Sequence, residues 1–153
     1  MKMASDEGYK IKVLTGAQAY PAPDDSNFIR VLENTPDLAW EHVIAESFNE
    51  WLDIIAEAQV LVSGRFHHSI AAAATGTPCV LVNSTTPKME ALAELLNTDS
   101  PVKRDDVNMH YILMERTKSA LNRPGKTCAL PRNVIQLAEK NFDGIRNMAR
   151  PVT

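Results

Sequence analysis

Two hydrophobic rhythms alternate along the chain. Ile11-Lys-Val-Leu-Thr-Gly16 is short, β-branched and ended by glycine, as a first strand is, and Trp40 to Ala45 is a weaker second one. Between them Ser26 to Glu33 holds a short helix. Ser47-Phe-Asn-Glu50 spells a capping box, in which a serine and a glutamate satisfy open N–H groups at a helix start. Phe48, Trp51, Leu52, Ile54, Ile55 and Ala58 then recur at helical spacing and mark one buried face. Gln59 to Ser63 is the most apolar strand, and Phe66 to Thr75 an alanine-rich helix. Gly76 stops that helix, because glycine takes the left-handed conformation without steric cost. Pro78 to Asn83 is a further strand. Thr86 and Pro87 suit the cap and first position of a helix whose inner side carries Met89, Leu92, Ala93, Leu95 and Leu96. Two more helices are predicted near Asp105 to Leu121 and from Pro131 to Met148, the last with Val134, Ile135, Ala138, Phe142, Ile145 and Met148 in period.

Strands that alternate with helices imply a parallel sheet covered on both faces, since every parallel connection needs a crossover. The predicted fold is therefore an α/β, three-layer Rossmann-like domain with a parallel sheet. The alanines at 71 to 74 fit it, because small side chains let a helix lie close on a sheet. One domain over 1–153 is expected, with residues 1–9 flexible and loops at Pro21 to Asp25 and Asn97 to Pro101.

Composition narrows the functions open to such a domain. Its 153 residues bury a sizeable core without staples. A formal charge of -3 and a pI near 5.8 give no nucleic-acid footprint and no polybasic membrane patch, so any anion recognition must be local. Cys79 lies inside a strand pattern and reads as a small buried hydrophobe, while Cys128 has no companion at metal spacing. No apolar signal core or membrane-length run occurs, which reads as a soluble, cytoplasmic chain. His42 and His110 have no metal spacing, so no metal is expected. No dinucleotide or Walker glycine fingerprint, nucleophile elbow or carboxylate pair is present, so no cofactor is expected either.

The chemistry concentrates in two turns. Gly64-Arg65-Phe66-His67-His68 follows one strand and Ser84 to Lys88 follows the next, and in an open parallel sheet both lie at carboxyl ends, where ligands bind. A cation at a helix start is disfavoured by about 0.3–1 kcal/mol against the helix dipole, and Arg65, His67, His68 and Lys88 all sit within one turn of such starts. An anion drawing on both the N–H groups and the cations explains the departure. The plainer alternative is that Arg65 pairs with a neighbouring carboxylate, His68 is structural and Lys88 is solvated. His67 and His68 stand about 100° apart around a helix, so they cannot face one ligand equally. Thr15, Gly16, Ser84 and Thr85 are placed to line the same crevice.

Val60-Leu-Val-Ser-Gly-Arg-Phe-His67, Gly76-Thr-Pro78 and Pro87-Lys88-Met-Glu90 together resemble the signature of the polysaccharide pyruvyl transferase family over roughly Glu46 to Asn97. The resemblance implies the second, donor-binding half of a glycosyltransferase-B-like fold that transfers a pyruvyl group from phosphoenolpyruvate to saccharide hydroxyls as a ketal. It implies that Arg65 and His67 meet the donor, that Lys88 binds its phosphate or carboxylate, and that His67 is the catalytic candidate. Gly64, His68, Ser84 and Thr85 complete the expected donor contacts. Two features depart from the family: His68 stands where a small or apolar residue is usual, and Asn83-Ser-Thr-Thr86 replaces a more aromatic and acidic approach to the lysine. The family also uses an acceptor domain, so the expected partners are an anionic donor, a saccharide and a second copy or missing domain. Two other readings stay open, a glycosyltransferase half holding a nucleotide-sugar and a non-catalytic anion-binding scaffold.

Overall fold

The computed structural model describes residues 1–15 and 23–122, with residues 130, 131, 134, 136 and 140 beyond them. Strand β1 (Lys12–Thr15) leads through helix α2 (Pro23–Glu33) to β2 (Glu41–Ile44), after the short helix α1 (Lys2–Asp6). Then follow α3 (Phe48–Glu57), β3 (Leu61–Ser63), α4 (Phe66–Thr75), β4 (Cys79–Leu81), α5 (Lys88–Leu95) and α6 (Met109–Leu121). Within the start expected to be flexible, residues 2–6 form α1, Ser5 Oγ accepts the Ala39 N–H and Glu7 pairs with Lys118 at 2.7 Å. Gly16, Cys128 and most of the helix expected from Pro131 to Met148 lie outside the described residues.

The pairing is parallel, as alternating strands and helices require. β1 pairs with β2 from Lys12 beside Glu41 to Thr15 beside Ile44, and β3 pairs with β4 from Leu61 beside Cys79 to Ser63 beside Leu81. The chain is a mixed α/β domain of Rossmann-like character, but the strands among the described residues form two small sheets where one continuous sheet was expected. A further parallel bridge joins Val82 to Val102, beyond β4. The segment Pro101-Val102-Lys103 is too short for alternation to reveal it in the sequence.

Side-chain alternation along β3 and β4 builds the layers. Leu61 and Cys79 face Ala71 and Ala72 of α4 together with Trp51 and Ile55 of α3, while Leu81 meets Met89 and Ala93 of α5. On the other face Val80 and Val102 pack against Ala120, Met109, Ile112 and Leu113 of α6. Ala72 and Met89 are fully enclosed, which is why the alanine run is needed: a larger side chain at 72 would push α4 off the strands.

Caps fix where the helices begin and end. At α3 the Ser47 side chain accepts the Glu50 N–H at 3.1 Å, and Glu50 Oε2 accepts the Glu46 N–H, one residue earlier than in the standard box. Gly76 adopts φ 72° and ψ 21°, with its N–H on the Ala73 carbonyl and the Thr77 N–H on the Ala72 carbonyl at 2.8 Å. That is the Schellman arrangement. Thr77, wholly buried, donates its hydroxyl to the Ile55 carbonyl at 2.9 Å and so ties the end of α3 to the turn before β4. At α5 the first helical residue is Lys88, with Pro87 in the cap position and no side-chain cap, a one-residue difference from the expected placement of Thr86 and Pro87.

Candidate functional site

The two sequence-marked turns are neighbours. A Cβ built on Gly64 would stand 3.4 Å from the Val82 carbonyl oxygen and 3.6 Å from that of Asn83, so the turn after β3 rests directly on the main chain that leaves β4. Phe66, in the first turn of α4, packs into the cluster of Leu81, Met89 and Ala93, which draws the starts of α4 and α5 together. Neither helix has a side-chain cap, in contrast to α3. Their first N–H groups are left for water or a ligand, at the positive ends of two helix dipoles.

The first turn is closed by its serines. Ser63 Oγ accepts the Arg65 N–H at 3.0 Å, and Ser69 Oγ, wholly buried, donates to the Arg65 carbonyl at 3.0 Å. Arg65 itself does not stand free. Its Nη2 is hydrogen-bonded and ion-paired with the Asp25 carboxylate in the first turns of α2, and Asp25 is far less exposed than the guanidinium it holds. The pair brings the start of α2 to the same end of the molecule as the starts of α4 and α5. Nothing in the sequence signals Asp25, because its partner lies forty positions away.

His67 and His68 part as helical geometry requires. His67 is exposed, its ring edge-to-face with Phe66 at 6.0 Å. His68 is buried: Trp51 Nε1 donates to its Nε2 at 3.4 Å and the two rings meet edge-on at 5.1 Å. Burial pushes the His68 pKa down to about 4, helped by the Arg65 charge and opposed by Asp25. The ring is neutral at physiological pH, faces the protein interior and is engaged by Trp51, so His68 packs α4 onto α3 where a donor contact was expected.

At the second turn Ser84 is spent on its own loop, accepting the Thr86 N–H at 3.3 Å and donating to the Thr86 carbonyl at 3.0 Å. Thr85 and Lys88 are exposed, and Lys88 makes no ion pair among the described residues. Asn83, which carried no role in the sequence reading, accepts the Arg104 N–H on its Oδ1 at 2.9 Å. Thr15, at the end of β1, is buried and hydrogen-bonded to His42 Nε2 at 3.1 Å, which gives both residues a structural partner.

The two turns therefore carry exposed His67 and Lys88, two helix starts without side-chain caps, and an Arg65 whose charge is met by Asp25. Open N–H groups at a helix start, with cations close to them in sequence, are chemistry suited to an anion. Among the described residues no three His, Cys, Asp or Glu side chains cluster to hold a metal, and no helix is long and apolar enough to cross a membrane.

The model of the polysaccharide pyruvyl transferase family matches residues 2–86, more than half of the chain. The match reaches far upstream of the signature region, to take in β1, α2 and β2, and includes Arg65, His67, Ser84 and Thr85. It stops before Pro87 and Lys88. No curated protein and no solved structure gives a match.

Proposed function

Because the chain belongs to the polysaccharide pyruvyl transferase family, we propose that it is a donor-binding domain that holds phosphoenolpyruvate between the turns after β3 and β4. The observation that supports the reading is the close approach of the turn at Gly64 to the main chain of Val82 and Asn83, since the turn that carries exposed His67 then adjoins the segment that leads to exposed Lys88, which makes no ion pair among the described residues. Lys88 and the open N–H groups of α4 and α5 stabilise the leaving phosphate.

In the transfer two hydroxyl oxygens of a saccharide bond to the enol carbon and the bond from that carbon to the phosphate oxygen breaks. Of the two hydroxyl protons, one goes to the methylene carbon, making the ketal's methyl group, and the other leaves with phosphate. His67 is the group that moves a proton in this scheme, as an exposed histidine beside the phosphate site. Arg65 is a weaker donor ligand than the family signature implies, since Asp25 already balances its charge. The acceptor wall comes from a second domain or a second copy, because positioning donor and acceptor together carries about 7–11 kcal/mol of such a barrier.

Thermal melts of the purified chain test the reading. Phosphoenolpyruvate should raise the melting temperature by mass action, and Lys88→Ala should remove most of that rise while leaving the unliganded melt unchanged. Stronger stabilisation by a nucleotide-sugar transfers the site to glycosyl chemistry. No stabilisation by either leaves a scaffold. With a polysaccharide acceptor present, robust phosphate release by a strict monomer would overturn the need for a second wall.

A further inference from the structure

A third turn reaches the same edge. Val102 extends the β3–β4 pair by a parallel bridge to Val82: the Val102 N–H donates to the Leu81 carbonyl at 2.8 Å, and the Asn83 N–H donates to the Val102 carbonyl at 2.9 Å. Because this bridge is parallel, the residues that follow Val102 leave it at the carboxyl end, beside those that follow β4. The Arg104 N–H then donates to Asn83 Oδ1 at 2.9 Å, so Asn83 is gripped twice and the third turn is fastened to the second.

That turn carries Lys103 and Arg104, both exposed. The ion pairs among the described residues are Lys2–Asp6, Lys10–Glu41, Arg65–Asp25 and Lys118–Glu7. Lys88, Lys103 and Arg104 take part in none of them. Of the two acids that follow, Asp106 accepts the Asn108 N–H at 2.8 Å ahead of α6, and Asp105 is exposed. Three cations without an ion pair among the described residues thus stand on two adjoining segments of a chain whose net charge is negative.

We propose that Lys103 and Arg104 form a second anion-holding wall of the crevice and take the carboxylate of the donor, leaving its phosphate to Lys88 and the helix starts. This rests on the donor reading above. An enolpyruvyl phosphate carries two anionic groups joined through one carbon, so its site needs cations on two sides. Arg65 is the obvious second cation by sequence, but its charge is engaged by Asp25. Arg104 offers the planar fork that matches a carboxylate with two parallel hydrogen bonds, and its backbone is already fixed at the rim.

Calorimetric titration of the full chain with phosphoenolpyruvate and, separately, with inorganic phosphate tests the division of labour. Arg104→Ala should weaken phosphoenolpyruvate about tenfold, the loss of one charge-assisted contact, while leaving inorganic phosphate unchanged. Lys88→Ala should weaken both ligands. Arg104→Lys should recover part of the loss, and Lys103→Ala should show a smaller one. The substitutions spare the fold, because Asn83 is held by the main-chain N–H of residue 104 and not by its side chain; unchanged unliganded melts verify this. Wild-type affinity for phosphoenolpyruvate in Arg104→Ala, or an equal loss for phosphate alone, overturns the carboxylate assignment. Failure of the wild-type chain to bind phosphoenolpyruvate overturns the donor reading and this one with it.

Discussion

The turn after β3 and the turn after β4 hold similar residues and use them differently. In the first, the cation is paired with Asp25, one histidine is sunk against Trp51, and two serines close the backbone on itself. In the second, Ser84 holds the loop but Lys88 stands free of any ion pair among the described residues, and the neighbouring segment adds Lys103 and Arg104. The lesson is that a charged residue at a strand end carries information about ligands only once its own partners are known. An engaged cation is part of the frame. An unengaged one has paid desolvation to nobody and remains available.

If Arg65, His68 and the serines of the first turn are frame while His67 and Lys88 are site, removing frame residues must cost stability and removing site residues must not. Trp51→Ala should show the largest effect. The ring is 8% exposed, packs with Ile55 and Ala71, and supplies the indole N–H that His68 accepts. Its loss should lower the unfolding free energy by about 3–5 kcal/mol, measured by denaturant titration. A loss no larger than that of Lys88→Ala, expected within about 0.5 kcal/mol of zero for an exposed side chain, would erase the distinction between the turns.

The next effect is pH dependence from His68. The folded ring has its pKa pushed down to about 4 from 6.5, so between those values the unfolded chain binds a proton that the folded chain does not. Stability should therefore fall as pH drops from 6.5 to 4 and level off below. The gap sets an order of magnitude of about 1–3 kcal/mol, at about 1.4 kcal/mol per pKa unit and reduced for solvent screening. His68→Gln keeps a side-chain acceptor for the Trp51 N–H but cannot titrate, so its unfolding free energy should lack this fall. A variant that tracks the wild-type curve through the window would place the titration elsewhere and return His68 to the crevice.

Much of this contrast was legible before the structure, and the rest was not for identifiable reasons. Local signals held well: the capping serine at 47, the helix from Phe66 to Thr75 and the left-handed Gly76 were each fixed by chemistry within a few residues. The separation of His67 from His68 followed from the helical period, although which one turned inward did not. What depended on distant partners was invisible. Asp25 meets Arg65 across forty positions, and Val102 joins the sheet through a single bridge that leaves no alternating pattern. The split into two small sheets was equally hidden, because the sequence displays which segments are strands and not which of them hydrogen-bond. Lys103 and Arg104 had no part in the sequence reading, because it is the bond from the Arg104 N–H to Asn83 that sets their backbone beside the second turn.

The smallest expected effect is the sharpest test of the comparison, because it asks whether the first turn can be turned into the second. Asp25→Asn removes the carboxylate that engages Arg65 while preserving the shape of the side chain. The pair is partly open to solvent, with the guanidinium side chain 52% exposed, so its loss should cost less than about 1 kcal/mol of stability. Freeing the guanidinium also deletes a negative charge from the crevice edge. At separations of several ångströms in a partly solvated site that change favours an anion by about 1 kcal/mol, so affinity for phosphoenolpyruvate should rise by roughly threefold to tenfold. The opposite sign has an equally definite meaning. If Asp25→Asn weakens phosphoenolpyruvate, the carboxylate orients Arg65 toward the ligand, and Arg65 belongs to the site after all. Asp25→Glu then separates orientation from charge, since it keeps the charge but moves the carboxylate outward by one methylene, and only an orienting role would make it as damaging as the asparagine.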